Sequence, residues 1–63
     1  MKVRDLRSIT PKDTVLWIET AEEEYLEAGE NEYLSSIYND RDISIMYPEH
    51  YKALSTTGIT VHV

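Results

Sequence analysis

The chain of 63 residues predicts an α+β fold: a small antiparallel sheet of about four strands with short helices packed on one face. Three observations carry that expectation. "DISIMY" and "ITVHV" alternate apolar and polar residues with the two-residue period of half-buried strands. "TVLWIE" is rich in β-branched and aromatic residues, which favour a pleated, half-buried surface. Val3, Leu6 and Ile9 recur at the spacing of a short amphipathic N-terminal helix. The length predicts one domain, residues 1–63. There is no cysteine to staple it. A core of this size supplies only about 3–5 kcal/mol, so partner binding or oligomerisation is expected.

Taken in order, the N-terminal helix ends at Thr10-Pro11-Lys12-Asp13, because the residue before proline is pushed out of the helical region. A strand over 14–19 follows. Further on, "YLSSIYND" places Leu34, Ile37 and Tyr38 at helical spacing, with Ser35 as the cap of a short helix. "DISIMY" reads as a strand that Pro48 ends. "PEHYKAL" reads as one helical turn with proline at its first position. "STTG" is a turn, and "ITVHV" is the closing strand.

The stretch between, "TAEEEYLEAG", admits two readings. Thr20 and Glu23 have capping-box spacing, the residues are good helix formers, and Gly29 stands where a C-terminal cap would sit. The rival is a hairpin: strand 14–19, an acidic turn at 20–23, and a second strand 24–28. Propensity alone favours the helix.

The pieces "KVRDL", "DTVLWIE", "EYLEAG", "SSIYNDRDISI" and "GITVHV" together span nearly the whole chain. In their order the chain resembles short uncharacterised open reading frames of phages and prophages of Gram-positive bacteria. The resemblance implies a helix–strand–strand–helix–strand–strand order, a phage-like origin and the hairpin reading of 20–28. It implies no function. The run Glu22-Glu23-Glu24 departs from the Asn, Asp or Gly usual in hairpin turns.

If 20–28 is a hairpin, strand alternation assigns the faces. Leu16, Ile18, Leu26, Ala28, Ile43, Ile45, Tyr47, Ile59, Val61 and Val63 are expected to face the helices, covered by Val3, Leu6, Ile9, Leu34 and Ile37. The other face is expected to carry Val15, Trp17, Glu19, Tyr25, Glu27, Ser44, Met46, Thr60 and His62. Trp17 either fills the small core or anchors an interface, since tryptophan and tyrosine are favoured at both.

Charge limits the function classes. Residues 1–12 carry +3, residues 13–40 carry nine acids and no base, and residues 41–63 are neutral, for a net −6. Nucleic-acid binding needs a positive footprint, and only Lys2, Arg4, Arg7 and Lys12 offer one. No apolar run is long enough to span a bilayer, which takes about 20 residues. The start has charges where a signal peptide needs an apolar run. His50 and His62 have no metal-ligand spacing, no serine sits in a nucleophile motif, and Gly29 and Gly58 stand alone, so neither catalysis, metal, cofactor nor phosphate cradle is expected.

The expectation is therefore a non-enzymatic, acidic protein-binding module of phage type, acting in the cytoplasm of a bacterial host. It would inhibit a host nucleic-acid-directed or defence protein by presenting carboxylates in place of phosphates. Its contact residues would be Trp17, Glu19, Glu22, Glu23, Glu24, Tyr25 and Glu27. The alternative is a self-assembling structural or accessory protein, a homodimer or higher oligomer closed through the outer sheet face.

Overall fold

The acidic stretch folds as a hairpin. In the computed structural model, which describes residues 1–63, strand β1 (Val15–Glu19) pairs antiparallel with β2 (Tyr25–Glu30) across a turn at residues 20–24. The Thr20 amide donates to the Glu24 carbonyl at 2.9 Å, and the Glu23 amide to the Thr20 carbonyl at 2.9 Å. The Glu24 amide donates to the Thr20 hydroxyl at 3.1 Å. Thr20 thus closes a turn with the same hydroxyl that would have capped a helix. Cross-strand pairing outweighs the helix propensity of "AEEE" because only the hairpin gives the β1 backbone a partner on this side.

The turn has the three-residue form in which the last loop residue is left-handed. That residue is Glu23, at φ 68°. A side chain there costs about 1–2 kcal/mol that glycine avoids. Glu23→Gly is therefore expected to stabilise the protein by about 1 kcal/mol, offset in part by the greater freedom of the unfolded chain. Thermal unfolding checks this: a rise of about 4–8 °C per kcal/mol is expected for so small a domain.

Two further strands complete the sheet, β3 (Ile45–Tyr51) and β4 (Thr56–His62), in the order β2-β1-β4-β3. The outer pairs are antiparallel, as expected, but the central pair β1/β4 is parallel, which makes the sheet mixed. The cause is the connection through residues 31–44, which carries the chain from one edge of the sheet to the other.

Pro48 does not end a strand; it lies inside β3, opposite Ile59. The Val63 amide donates to the Glu19 carbonyl at 2.9 Å, so odd-numbered residues of β4 bond to β1 and even-numbered ones to β3. The register then turns the backbone groups of Met46, Pro48 and His50 towards the open edge. Proline is tolerated there because its missing N–H would have faced solvent. The expected helical turn over "PEHYKAL" is replaced by strand as far as Tyr51 and a 3-10 turn at Lys52–Leu54. Ser55, left-handed at φ 51°, reverses the chain, and "TTG" belongs to β4.

Register also corrects the face assignments. Leu26 is an extra residue between the pairs Glu19–Tyr25 and Ile18–Glu27, and such a bulge flips the alternation beyond it. Ala28 therefore shares the outer face with Trp17, and Glu27 shares the inner face with Ile18. On β3, Ile45 and Tyr47 pair with His62 and Thr60 on the outer face, while Met46 pairs with Val61 on the inner one.

The inner face is covered by helix α1 (Val3–Ser8) and by the 31–44 connection. Leu6, Leu16, Ile18, Leu34 and Val61 form the core, with Leu26, Tyr38, Ile43, Ile59 and Val63 packed around it. Six residues are too few for a self-sufficient helix, and α1 is held from outside. Its Val3 and Arg4 amides donate to the Arg41 and Asn39 carbonyls, each at 3.0 Å. Ile9 and Ile37, expected in the core, are exposed. Ile9 sits past the last helical turn, at the C-cap. Ile37 lies in a 3-10 turn, Ser36–Tyr38, whose geometry sends Tyr38 to the core instead. Ser35 caps that turn as expected, accepting from the Ile37 amide at 3.2 Å.

Candidate functional site

The hairpin divides the seven candidate contact residues into three groups. Glu22, Glu23, Glu24 and Tyr25 are exposed together at its tip. The salt bridges of the molecule are Lys2–Asp42 and Arg4–Asp40, and His62 contacts Glu19, so no base neutralises the tip carboxylates. Trp17 is half-buried, stacked on Tyr51 with ring centroids 5.0 Å apart and edge-on to Tyr25 at 5.1 Å. The remaining two are committed elsewhere. Glu19 accepts from the Trp17 indole at 2.9 Å and faces His62 Nε2 at 3.1 Å. Glu27, carried inward by the bulge at Leu26, accepts from the Ser35 amide at 2.9 Å.

A polar and aromatic layer that the sequence did not suggest fills the outer face. Tyr51 donates to the Thr60 hydroxyl at 2.6 Å, and Thr60 in turn donates to Glu49 at 2.7 Å. His62 Nε2 lies 3.3 Å from the Tyr47 hydroxyl as well as beside Glu19. Thr60, His62 and Tyr51 are all buried. Buried polar atoms in the molecule all have partners, which makes this layer part of the packing. The signal for it was the two-residue spacing of Tyr47, Glu49 and Tyr51, masked by reading Pro48 as a strand end.

Burial raises the hydroxyl pKa of Tyr51 above the ordinary 10.0; its hydrogen bond to Thr60 opposes the shift and the Glu49 carboxylate reinforces it. Tyr47 is raised in the same direction, by desolvation and then by Glu49 and Glu19. Because the folded state resists tyrosinate formation, the unfolded chain releases these protons first. Their stabilising contribution is complete below pH 10.0 and is lost as pH climbs through the raised folded-state values. Thermal midpoints are expected to fall above that pH. Tyrosinate absorbance should show two of the five tyrosines titrating late in the native protein and normally in denaturant.

The only concavity lies on the opposite side, a shallow depression of about 430 Å³ floored by Arg7 between α1 and the connection and bordered by Arg4, Lys12, Asn31 and Glu32. Its central guanidinium is already occupied. Arg7 donates to the side chains of Asn31 and Asn39 and to the carbonyls of Asn31, Leu34 and Ser35. Asn31 answers by donating to the carbonyls of Arg7 and Thr10, each at 3.0 Å. Of the basic residues near the N-terminus, Arg7 therefore builds the fold and Lys2 and Arg4 pair with Asp42 and Asp40. No three His, Asp or Glu side chains converge as a metal site. No helix is long and apolar enough to cross a membrane.

No protein-family model, curated protein or solved structure matches the chain.

Proposed function

We propose that the protein is a non-enzymatic protein-binding module whose contact element is the tip of the acidic hairpin. The observation that carries this reading is three consecutive exposed carboxylates, Glu22–Glu24, beside an exposed tyrosine, on an ordered turn, without a neighbouring base. Carboxylates left unpaired in a row repel one another, and a basic surface on a partner relieves that repulsion. Tyr25 adds a ring anchored edge-on to Trp17, a pre-ordered apolar contact at the centre of the charge. The partner class this fits is a host protein with a basic groove, such as one that handles or cuts nucleic acid. The protein would then act as a phage-type inhibitor in the bacterial cytoplasm, with carboxylates in the place of phosphates. The contact set is narrower than the sequence suggested: Glu19 and Glu27 support the hairpin from behind.

The test is affinity capture from a bacterial lysate, eluted by rising salt, with wild type and the triple variant Glu22→Lys, Glu23→Lys, Glu24→Lys side by side. The expected result is one stoichiometric protein released by salt from the wild type and absent from the folded variant. Equal capture by both would overturn the charge-directed reading.

Self-assembly through the outer face has weaker support, because Trp17 is already engaged by Tyr25 and Tyr51 within one chain. A concentration-dependent mass by light scattering that Trp17→Glu abolishes would restore it.

A further inference from the structure

The sheet has two edges, and they differ in what they offer an incoming strand. At the β3 edge the outward backbone groups belong to Met46, Pro48 and His50, so the middle position offers no N–H. Proline at the centre of an exposed edge is a common natural block against strand addition. The β2 edge has no such block. The Asn31 amide donates to the Thr14 carbonyl at 2.8 Å, and Leu16 and Ile18 pair with Gly29 and Glu27. The alternation therefore turns both backbone groups of Ala28 and Glu30 outward. No loop or turn hydrogen bond takes up the backbone groups of Ala28 or Glu30.

We propose that the β2 edge is a docking site for an extended basic segment of a partner protein, which adds as a fifth strand beside Tyr25–Glu30. This rests on the protein-binding reading above and specifies how the partner is held. Strand addition draws its affinity from main-chain hydrogen bonds and its specificity from alternate side chains. Here the side chains flanking the open edge are Glu24 and Glu30, both exposed, with Tyr25 between them on the outer face. The edge lies within residues 13–40, which hold nine acids and no base, so a segment carrying lysine or arginine matches it in charge. A second copy of this chain does not. Its own β2 would set like charges against like, its β3 carries the proline, and none of its six lysines and arginines lies in a strand, with Lys2 and Arg4 paired to Asp42 and Asp40 and Arg7 bound internally.

The experiment is an amide-resolved NMR titration of the intact protein with three synthetic peptides. These are an alternating lysine–valine peptide, the same peptide N-methylated at every second residue, and an alternating glutamate–valine peptide. The first is expected to shift the Ala28 and Glu30 amides and slow their exchange. N-methylation keeps the charge but removes donors, and the loss of about two hydrogen bonds should weaken binding about tenfold. The glutamate peptide should leave the spectrum unchanged. Ala28→Pro, which removes an outward donor as Pro48 does at the other edge, should reproduce the loss.

Equal binding of the plain and methylated peptides, or shifts confined to Glu22–Glu24, would overturn strand addition while leaving the tip as the contact. Edge shifts that survive the triple lysine variant would support strand addition as independent of the tip carboxylates, on which the lysate capture decides. No shift with any peptide overturns the edge proposal alone, since lysate capture reads the tip independently.

Discussion

Gly58→Ala is expected to remove most of the stability of the fold. Gly58 is buried in β4 opposite Val15 of β1, and a Cβ there would run into the Val15 carbonyl oxygen. It would also stand 3.0 Å from the Tyr51 ring, which lies over this glycine on its way to Thr60. Neither obstacle is the free end of a flexible side chain. The first is backbone in the central parallel pair, and the second is held by Trp17 stacking and by the Thr60 hydroxyl. Forcing a methyl into such a site costs about 1–3 kcal/mol, and the upper end applies where backbone must move. Against a total of about 3–5 kcal/mol for a core of this size, that leaves little. The matched control is Gly29→Ala, where a Cβ meets nothing. It should be neutral or stabilising by about 0.5–1 kcal/mol. Urea unfolding of both variants checks the contrast; equal midpoints would show that β1 and β4 do not approach as described.

Arg7→Met is expected to be comparably damaging for a different reason. The Arg7 side chain makes five hydrogen bonds, all to the connection between β2 and β3. Methionine keeps much of the stem volume but leaves the carbonyls of Asn31, Leu34 and Ser35 without this donor. Leaving a buried acceptor unpaired costs about 1–3 kcal/mol. Arg7 is only half-buried, so water recovers part of it, and a net loss of about 2–3 kcal/mol is expected. Arg7→Lys should not rescue, because one ammonium cannot reach the partners that a planar fork reaches together. Chemical denaturation gives the magnitude. Amide exchange gives the location, with protection lost first over residues 31–41. Full rescue by lysine would show that charge alone, rather than the fork, holds the connection.

These two residues show what in this chain was legible before the fold. Strand β1, the core role of Val3 and Leu6 and the Ser35 cap each rest on spacing within a few residues, and the sequence exposes such spacing directly. The hairpin was visible only as one of two readings, because Thr20 is equipped to cap either a helix or a turn. Arg7 looked like surface charge, since nothing local announces that residues 31–39 will fold over it. Glu27 looked like part of the acidic face until a one-residue bulge turned it inward. Pro48 looked like a strand end because its tolerance depends on β3 lying at an edge, a property of the whole sheet. The candidate site was thus half legible. Its charge was written in the composition, whereas its division into a free tip and a buttressed base came from register.

Both binding proposals stand on residues 13–32 being a hairpin in this register, and proton NMR of the wild-type protein tests that most directly. Trp17 and Ala28 form a pair whose α-protons face each other between hydrogen-bonded pairs, as do Val15 and Glu30. Strong α-proton to α-proton cross-peaks for both pairs are the result this account predicts. Sequential amide–amide contacts running unbroken through residues 20–28, with no cross-strand α-proton peaks, would mean a helix and would contradict it.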